Sequence, residues 1–142
     1  MIRHLLGLAI LTAFAPIVSA CAEDLLIIAN PSVAVALPLT LREIEAIYLL
    51  RITAWPDGSH IVPVNREASS EIRTIFTAEA LKQDNAGLAA YWNEMHFQGK
   101  LPPVVQESEP AMLAFVRRVP GAIGYISAST PADGVKVLSH VP

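Results

Sequence analysis

The sequence predicts an α/β sandwich on a mostly parallel or mixed sheet. One observation behind this is a set of apolar runs of strand length, at Leu25–Ala29, Ile61–Val64, Ala122–Ile126 and Val135–Leu138. A second is that polar caps followed by helically spaced apolar residues stand between those runs. The third is the punctuation, with Pro, Gly, Asn and Asp gathered where one kind of segment gives way to the next.

Leu25–Ala29 is apolar without interruption and ends at Asn30-Pro31-Ser32, as expected of a strand covered on both faces and stopped by a turn. Thr40 and Glu43 have the spacing of a capping box, so a helix begins there, with Leu41, Ile44, Ile47, Tyr48 and Arg51 recurring along it to about Leu50. Trp55-Pro56-Asp57-Gly58 closes this unit as a turn. The strand at Ile61–Val64 contains Pro63, which places it near a sheet edge or makes this a strand end. Ser69 or Ser70 caps a second helix carrying Ile72, Ile75, Phe76, Ala80 and Leu81. Asp84 caps a third from Ala86 to Phe97, with Leu88, Tyr91, Trp92 and Met95 inward and Gly99 at its end; Leu101-Pro102-Pro103 cannot continue it. Ser108 starts a fourth helix, with Pro110 in the first turn, Leu113, Val116 and Val119 inward and Pro120-Gly121 as the stop. The last two strands flank the turn Pro131-Ala132-Asp133-Gly134.

Residues 1–20 have the parts of a secretory signal: Arg3 and His4, an apolar run from Leu5 to Val18, and the small residues Ser19-Ala20. The run is too short to span a bilayer, which takes about 20 apolar residues. Val18-Ser19-Ala20-Cys21 resembles a bacterial lipobox, which would make Cys21 a lipidation point, while Ala20-Cys21-Ala22 also fits a signal-peptidase site; both readings stand. Cys21 is the only cysteine, so no internal disulfide is expected. Residues 23–142 suit one domain with one core, too short for two full lobes. Every acid lies beyond the signal, so loss of Arg3 moves the formal charge from −3 to −4. That balance excludes generic binding to nucleic acid or anionic lipid, and any anion site must be local.

The stretch Val62 to Phe76 runs strand, short loop, helix start. A helix start after a strand presents free amides and the positive end of the helix dipole, an anion site that needs no net positive charge. Arg66 would add a bidentate clamp, and Ser69 and Ser70 hydroxyl donors. Serine before a helix is equally explained as a cap, and Asn30 and Ser32 as parts of a strand-ending turn. His60, His96 and His140 have no His or Cys at ligand spacing, so no metal or other cofactor is expected. Glu107 and Glu109 read as acids complementing a helix start, and no nucleophile motif or Gly-rich nucleotide loop is present, so an enzyme is not expected.

Four pieces taken in order, Leu41 to Tyr48, Ile52-Thr53-Ala54-Trp55, Arg66 to Phe76 and Pro120-Gly121-Ala122-Ile123-Gly124-Tyr125, resemble the second lobe of the periplasmic phosphate-binding proteins of ABC importers. The family has there a helix ending in phenylalanine-leucine-glycine, an isoleucine-threonine-x-tryptophan, an arginine followed by serine-glycine-threonine at a helix start, and a proline-glycine-x-isoleucine-glycine-tyrosine. The resemblance implies a single-lobe, three-layer sandwich with a mixed, mostly parallel sheet. It also implies an exported solute-binding domain for an oxyanion, phosphate first, in ABC-type uptake or sensing.

Arg66 matches the family's arginine and Ser70 its serine, with Ser69 beside them, while Asn30 and Ser32 would lie on a second loop facing the same crevice. Glu71 stands where the family has glycine and Ile72 where it has threonine. A single lobe supplies half the donors, so a second copy in a homodimer, or another protein such as a permease or sensor, would provide the opposite wall. The competing expectation is a protein-interaction module of the cell envelope that has kept the fold and lost the ligand.

Overall fold

In the computed structural model, which describes residues 23–142, the apolar run Leu25–Ala29 is strand β1. Its side chains serve two cores: Leu25, Ile27 and Ala29 enter one and Ile28 the other, the reason an unbroken apolar run suits this position. The signal segment and Cys21 lie outside the described residues.

Helix α1 (Leu41–Tyr48) starts at the expected capping box. The Glu43 N–H donates to Thr40 Oγ1 at 3.3 Å, and the Thr40 N–H donates to Glu43 Oε2 at 2.8 Å. The Thr40 hydroxyl, donating to Glu43 Oε2 at 2.6 Å, and after it the Thr40 N–H hold the Glu43 carboxyl below the usual carboxylate range. The helix ends at Tyr48, and Leu50 turns the chain with φ 56°. Strand β2 (Val62–Arg66) leads to α2 (Glu71–Glu79), capped by Ser70 and not Ser69, then to α3 (Asn85–Phe97), capped by Asp84. A short strand, β3 (Val104–Gln106), precedes α4 (Glu109–Arg118), whose cap is Ser108; β4 (Ala122–Ser127) and β5 (Lys136–Val141) complete the order.

The strands lie in the order β3-β2-β4-β1-β5. β2 runs parallel to β3 and β4, whereas β1 is antiparallel to β4 and β5, so the mixed sheet has parallel pairing on one side and antiparallel on the other. Pro63 is tolerated because β3 begins pairing only at Val64, leaving the proline beside one neighbour, Ile123 of β4.

The layers follow from strand alternation. Ile28, Val64, Ala122 and Ile126 meet α4 through Met112 and Val116 on one face. On the other, Ile27, Ile123 and Tyr125 meet Ile44, Ile47 and Tyr48 of α1, Phe76 of α2 and Leu88 of α3. Phe76 stacks on Tyr125 with centroids 3.9 Å apart, and Tyr48 meets Phe76 edge-on at 4.7 Å. Aromatic pairs of this kind contribute about 0.5–1.5 kcal/mol beyond the area they bury. In α3, Leu88 is buried and Tyr91 and Trp92 pack against this core, but Met95 is not part of it and Phe97 is 79 % exposed. The helix thus meets the core with its first half, short of the expected four-residue stripe.

One close approach ties the loops to the sheet. Trp55 Nε1 donates to Gly121 O at 3.0 Å, and the Val62 N–H to the same oxygen at 3.1 Å. Gly121 has φ +79°, and a Cβ there would stand 2.1 Å from the His60 carbonyl oxygen.

Candidate functional site at two helix starts

The parallel strands β3, β2 and β4 end on the same side of the sheet, and the first two are each followed by a helix start, α4 and α2 respectively. An open crevice lies there, lined by Arg66, Ser70, Glu71, Ile72, Ser108, Glu109, Pro110 and Glu23. Its free space, about 470 Å³, is many times the ~30 Å³ share of one water in the liquid, ample for a tetrahedral oxyanion.

Arg66 is the last residue of β2 and is 8 % exposed. Its backbone is fixed from below, where the N–H donates to Tyr125 Oη at 3.0 Å and to Asn65 Oδ1 at 3.1 Å, while Tyr125 Oη itself donates to Asn65 Oδ1. Burial pushes the Tyr125 hydroxyl well above the ordinary tyrosine range, so it remains a donor. Arg73, one turn into α2, donates from Nη1 to Arg66 O at 2.7 Å. The guanidinium of Arg66 grips its neighbour: Nε donates to Glu67 Oε2 at 2.9 Å and Nη2 to Glu67 Oε1 at 3.0 Å. That pairing holds the Glu67 carboxyl below its usual range, helped by the charge of Arg73.

Ser70 caps α2, its Oγ accepting from the Arg73 N–H at 3.4 Å. Glu71 is the first-turn acid of that helix and Glu109 of α4, each placed to complement the dipole. Glu109 also reaches the end of β4, where Oε1 accepts from the Ser127 N–H at 2.5 Å and Oε2 from Thr130 Oγ1 at 2.7 Å. Ser127 Oγ in turn donates to Glu23. The crevice therefore combines one arginine, whose Nε and Nη2 already hold the Glu67 carboxylate, with two helix starts, each of which gives one amide to its capping serine.

Arg66 and Ser70 are brought together as expected. Ser69 is exposed and does not line the crevice. Asn30 and Ser32 do not face it, a correction that follows from strand direction. β1 is antiparallel to β4 and β2 is parallel to it, so the end of β1 is level with the start of β2 across the intervening β4. At about 3.3 Å per residue, Arg66 is about 13 Å further along. Asn30 instead fastens the end of α4, with Nδ2 donating to Val116 O at 2.9 Å and Arg117 O at 3.0 Å; Ser32 Oγ accepts from the Gly121 N–H at 3.2 Å.

Glu109 and Glu23 line the crevice though sequence reasoning did not assign them to it, and Glu67 and Arg73 join it only through their bonds to Arg66. The adjacency of Arg66 and Glu67 was the one available signal. Within a strand, neighbours point to opposite faces, but β2 stops at Arg66 and frees Glu67 to turn back. Among the described residues no three His, Cys, Asp or Glu side chains group to hold a metal ion, and no helix is long and apolar enough to cross a membrane. His140 pairs with Asp24, Nε2 to Oδ2 at 3.1 Å.

A crevice outside the carboxyl ends of parallel strands, walled by helix starts, is where α/β folds commonly bind ligands. Solved structures of phosphate-transport and substrate-binding proteins share the fold. An ABC-type phosphate transport receptor from Vibrio cholerae is 23 % identical with TM-score 0.64, over 82 % of this chain and 46 % of the receptor. A putative phosphate ABC transporter substrate-binding protein from Clostridium perfringens, solved with bound phosphate, is 24 % identical with TM-score 0.63, over 82 % and 45 % of the two chains. PstS from Borrelia burgdorferi is 18 % identical with TM-score 0.62, over 82 % and 47 %. The chain spans just under half the length of these proteins, as one lobe would, and has their α/β fold over that span. No protein-family model and no curated protein sequence matches it.

Proposed function

We propose that this protein is an exported binding domain for an oxyanion, most simply phosphate, serving ABC-type uptake or sensing from the periplasm or the envelope surface. The observation that carries the reading is Arg66 with Ser70 at the β2–α2 junction, on a crevice that also receives the α4 start. The likeness of the fold to receptors described as phosphate-transport proteins supports the choice of anion. On this reading Arg66 supplies the charge, the first amides of α2 and the Ser70 hydroxyl supply hydrogen bonds, and binding without chemical change is the whole activity. The rest of the anion's shell comes from a second copy or from a permease or sensor. Export rests on residues 1–20, and attachment to the membrane on acylation of Cys21.

The test is calorimetric titration with phosphate and sulfate, repeated with Arg66→Ala. Saturable heat in the wild type that disappears in the variant is the expected result; no heat at millimolar ligand from folded protein would sink the reading. Mass spectrometry of the mature N-terminus separates acylated Cys21 from simple cleavage.

A second reading, a ligand-free interaction module, is favoured by the Arg66–Glu67 pairing and by the exposed Phe97, Leu101, Val104 and Val105 around the edge strand β3. It predicts silence in the titration and a protein partner for that edge.

A further inference from the structure

Two parallel N–H···O bonds from Nε and Nη2 are the geometry with which arginine holds an oxyanion, and here the carboxylate of Glu67 takes that place, at 2.9 and 3.0 Å. Its attachment to the adjacent residue makes the contact intramolecular, so it re-forms at a high effective concentration whenever it opens. The two partners are unequal in freedom. The Arg66 side chain is 10 % exposed and its backbone is bonded to Tyr125, Asn65 and Arg73, whereas the Glu67 side chain is 29 % exposed on a loop beyond the strand end. Glu67 is the partner nearer to water, and Arg66 is the one anchored at its backbone.

We infer that Glu67 is the affinity- and specificity-setting residue of the crevice, an internal carboxylate that closes the arginine fork until an oxyanion replaces it. The inference rests on the oxyanion reading above and adds the ligand's charge class. Exchanging one carboxylate for another single negative charge gains little, whereas a doubly charged tetrahedral oxyanion gains the second charge against Arg66, Arg73 and the α2 dipole. The other charged residues lining the crevice with Arg66 are Glu71 on α2, Glu109 on α4 and Glu23 ahead of β1. All three are acidic and penalise any anion, which leaves the displaced Glu67 as the group whose removal relieves the most repulsion at the fork itself.

The experiment is calorimetric titration of the full chain with inorganic phosphate, sulfate and acetate, in wild type, Glu67→Gln, Glu67→Ala and the double variant Arg66→Gln/Glu67→Gln, each checked for folding by circular dichroism. The expected result is phosphate affinity raised roughly threefold to tenfold by either Glu67 substitution, a smaller preference for divalent anions over acetate, and no binding in the double variant. In wild type, saturating phosphate should also move the Glu67 carboxyl ¹³C resonance to that of a solvated carboxylate, a readout that needs no variant. Wild-type binding with an unmoved Glu67 resonance, or with equal or weaker affinity in the folded Glu67 variants, overturns the inference and leaves the oxyanion reading standing. Absence of phosphate binding in every folded protein overturns the oxyanion reading, and the inference falls with it.

Discussion

Replacing Tyr125 with Phe removes one oxygen from beneath the candidate site and nothing else. The ring stays stacked on Phe76, with centroids 3.9 Å apart and planes 7° from parallel, so the core keeps its packing. Two hydrogen bonds are lost, one donated to Asn65 Oδ1 and one accepted from the Arg66 N–H. Neither partner is orphaned, because the Arg66 N–H retains Asn65 Oδ1 at 3.1 Å. The cost is therefore that of two ordinary bonds, about 1–2 kcal/mol, without the further penalty of a buried unpaired donor. In urea this appears as a midpoint lowered by about 0.5–1 M at unchanged slope, for a slope of about 2 kcal/mol per molar. If phosphate binds, its affinity should also fall, since the hydroxyl fixes the backbone that carries the guanidinium. An unchanged midpoint would show that the hydroxyl is outside this network, and a loss above about 4 kcal/mol would show that the oxygen supports more than these bonds.

Two further outcomes follow from the fold. Gly121→Ala combines a left-handed φ of +79° with a Cβ 2.1 Å from a backbone oxygen, whereas Gly58→Ala meets a similar φ of +85° with nothing within 4 Å. The second should cost about 1–2 kcal/mol for the dihedral alone and the first at least about 3, with thermal melts separating them; equal losses would mean that the His60 contact carries no energy. Stability should also fall in alkali. Burial raises the Tyr48 and Tyr125 hydroxyls above the ordinary tyrosine value, so the unfolded chain releases those protons first. The stabilisation is complete below about pH 10 and is lost as pH rises through the folded-state values. Urea midpoints should decline from pH 9 to 11, with the absorbance of the Tyr48 and Tyr125 tyrosinates rising only as the protein unfolds; ionisation of both buried rings in folded protein would contradict the burial.

Most of the fold was legible because its signals are local. Thr40 and Glu43, Ser70, Asp84 and Ser108 each announce a helix within a few residues, and each is a cap in the structure. β3 was not legible: three residues after two prolines are a strand only because β2 offers a parallel partner, which no local pattern encodes. The site divides in the same way. Arg66 and Ser70 share one junction, so sequence order alone brings them together. Glu23 and Glu109 reach the crevice from segments 86 residues apart, as the extensions of different elements. Asn30 was misplaced because strand direction, a property of the whole sheet, decides which end of β1 faces the helix starts.

β1 is the first strand among the described residues, yet its hydrogen-bonded neighbours are β4 and β5, in residues 122–141. During synthesis it has no partner until residues 122–141 emerge, so its side of the sheet closes through contacts of high sequence separation, which form slowly. Until then the first core, which needs Ile27 against Ile123 and Tyr125, cannot assemble. The sheet around β1 thus cannot form before residues 122–141 have been made, and cutting the chain short before residue 122 would leave β1 without a strand partner.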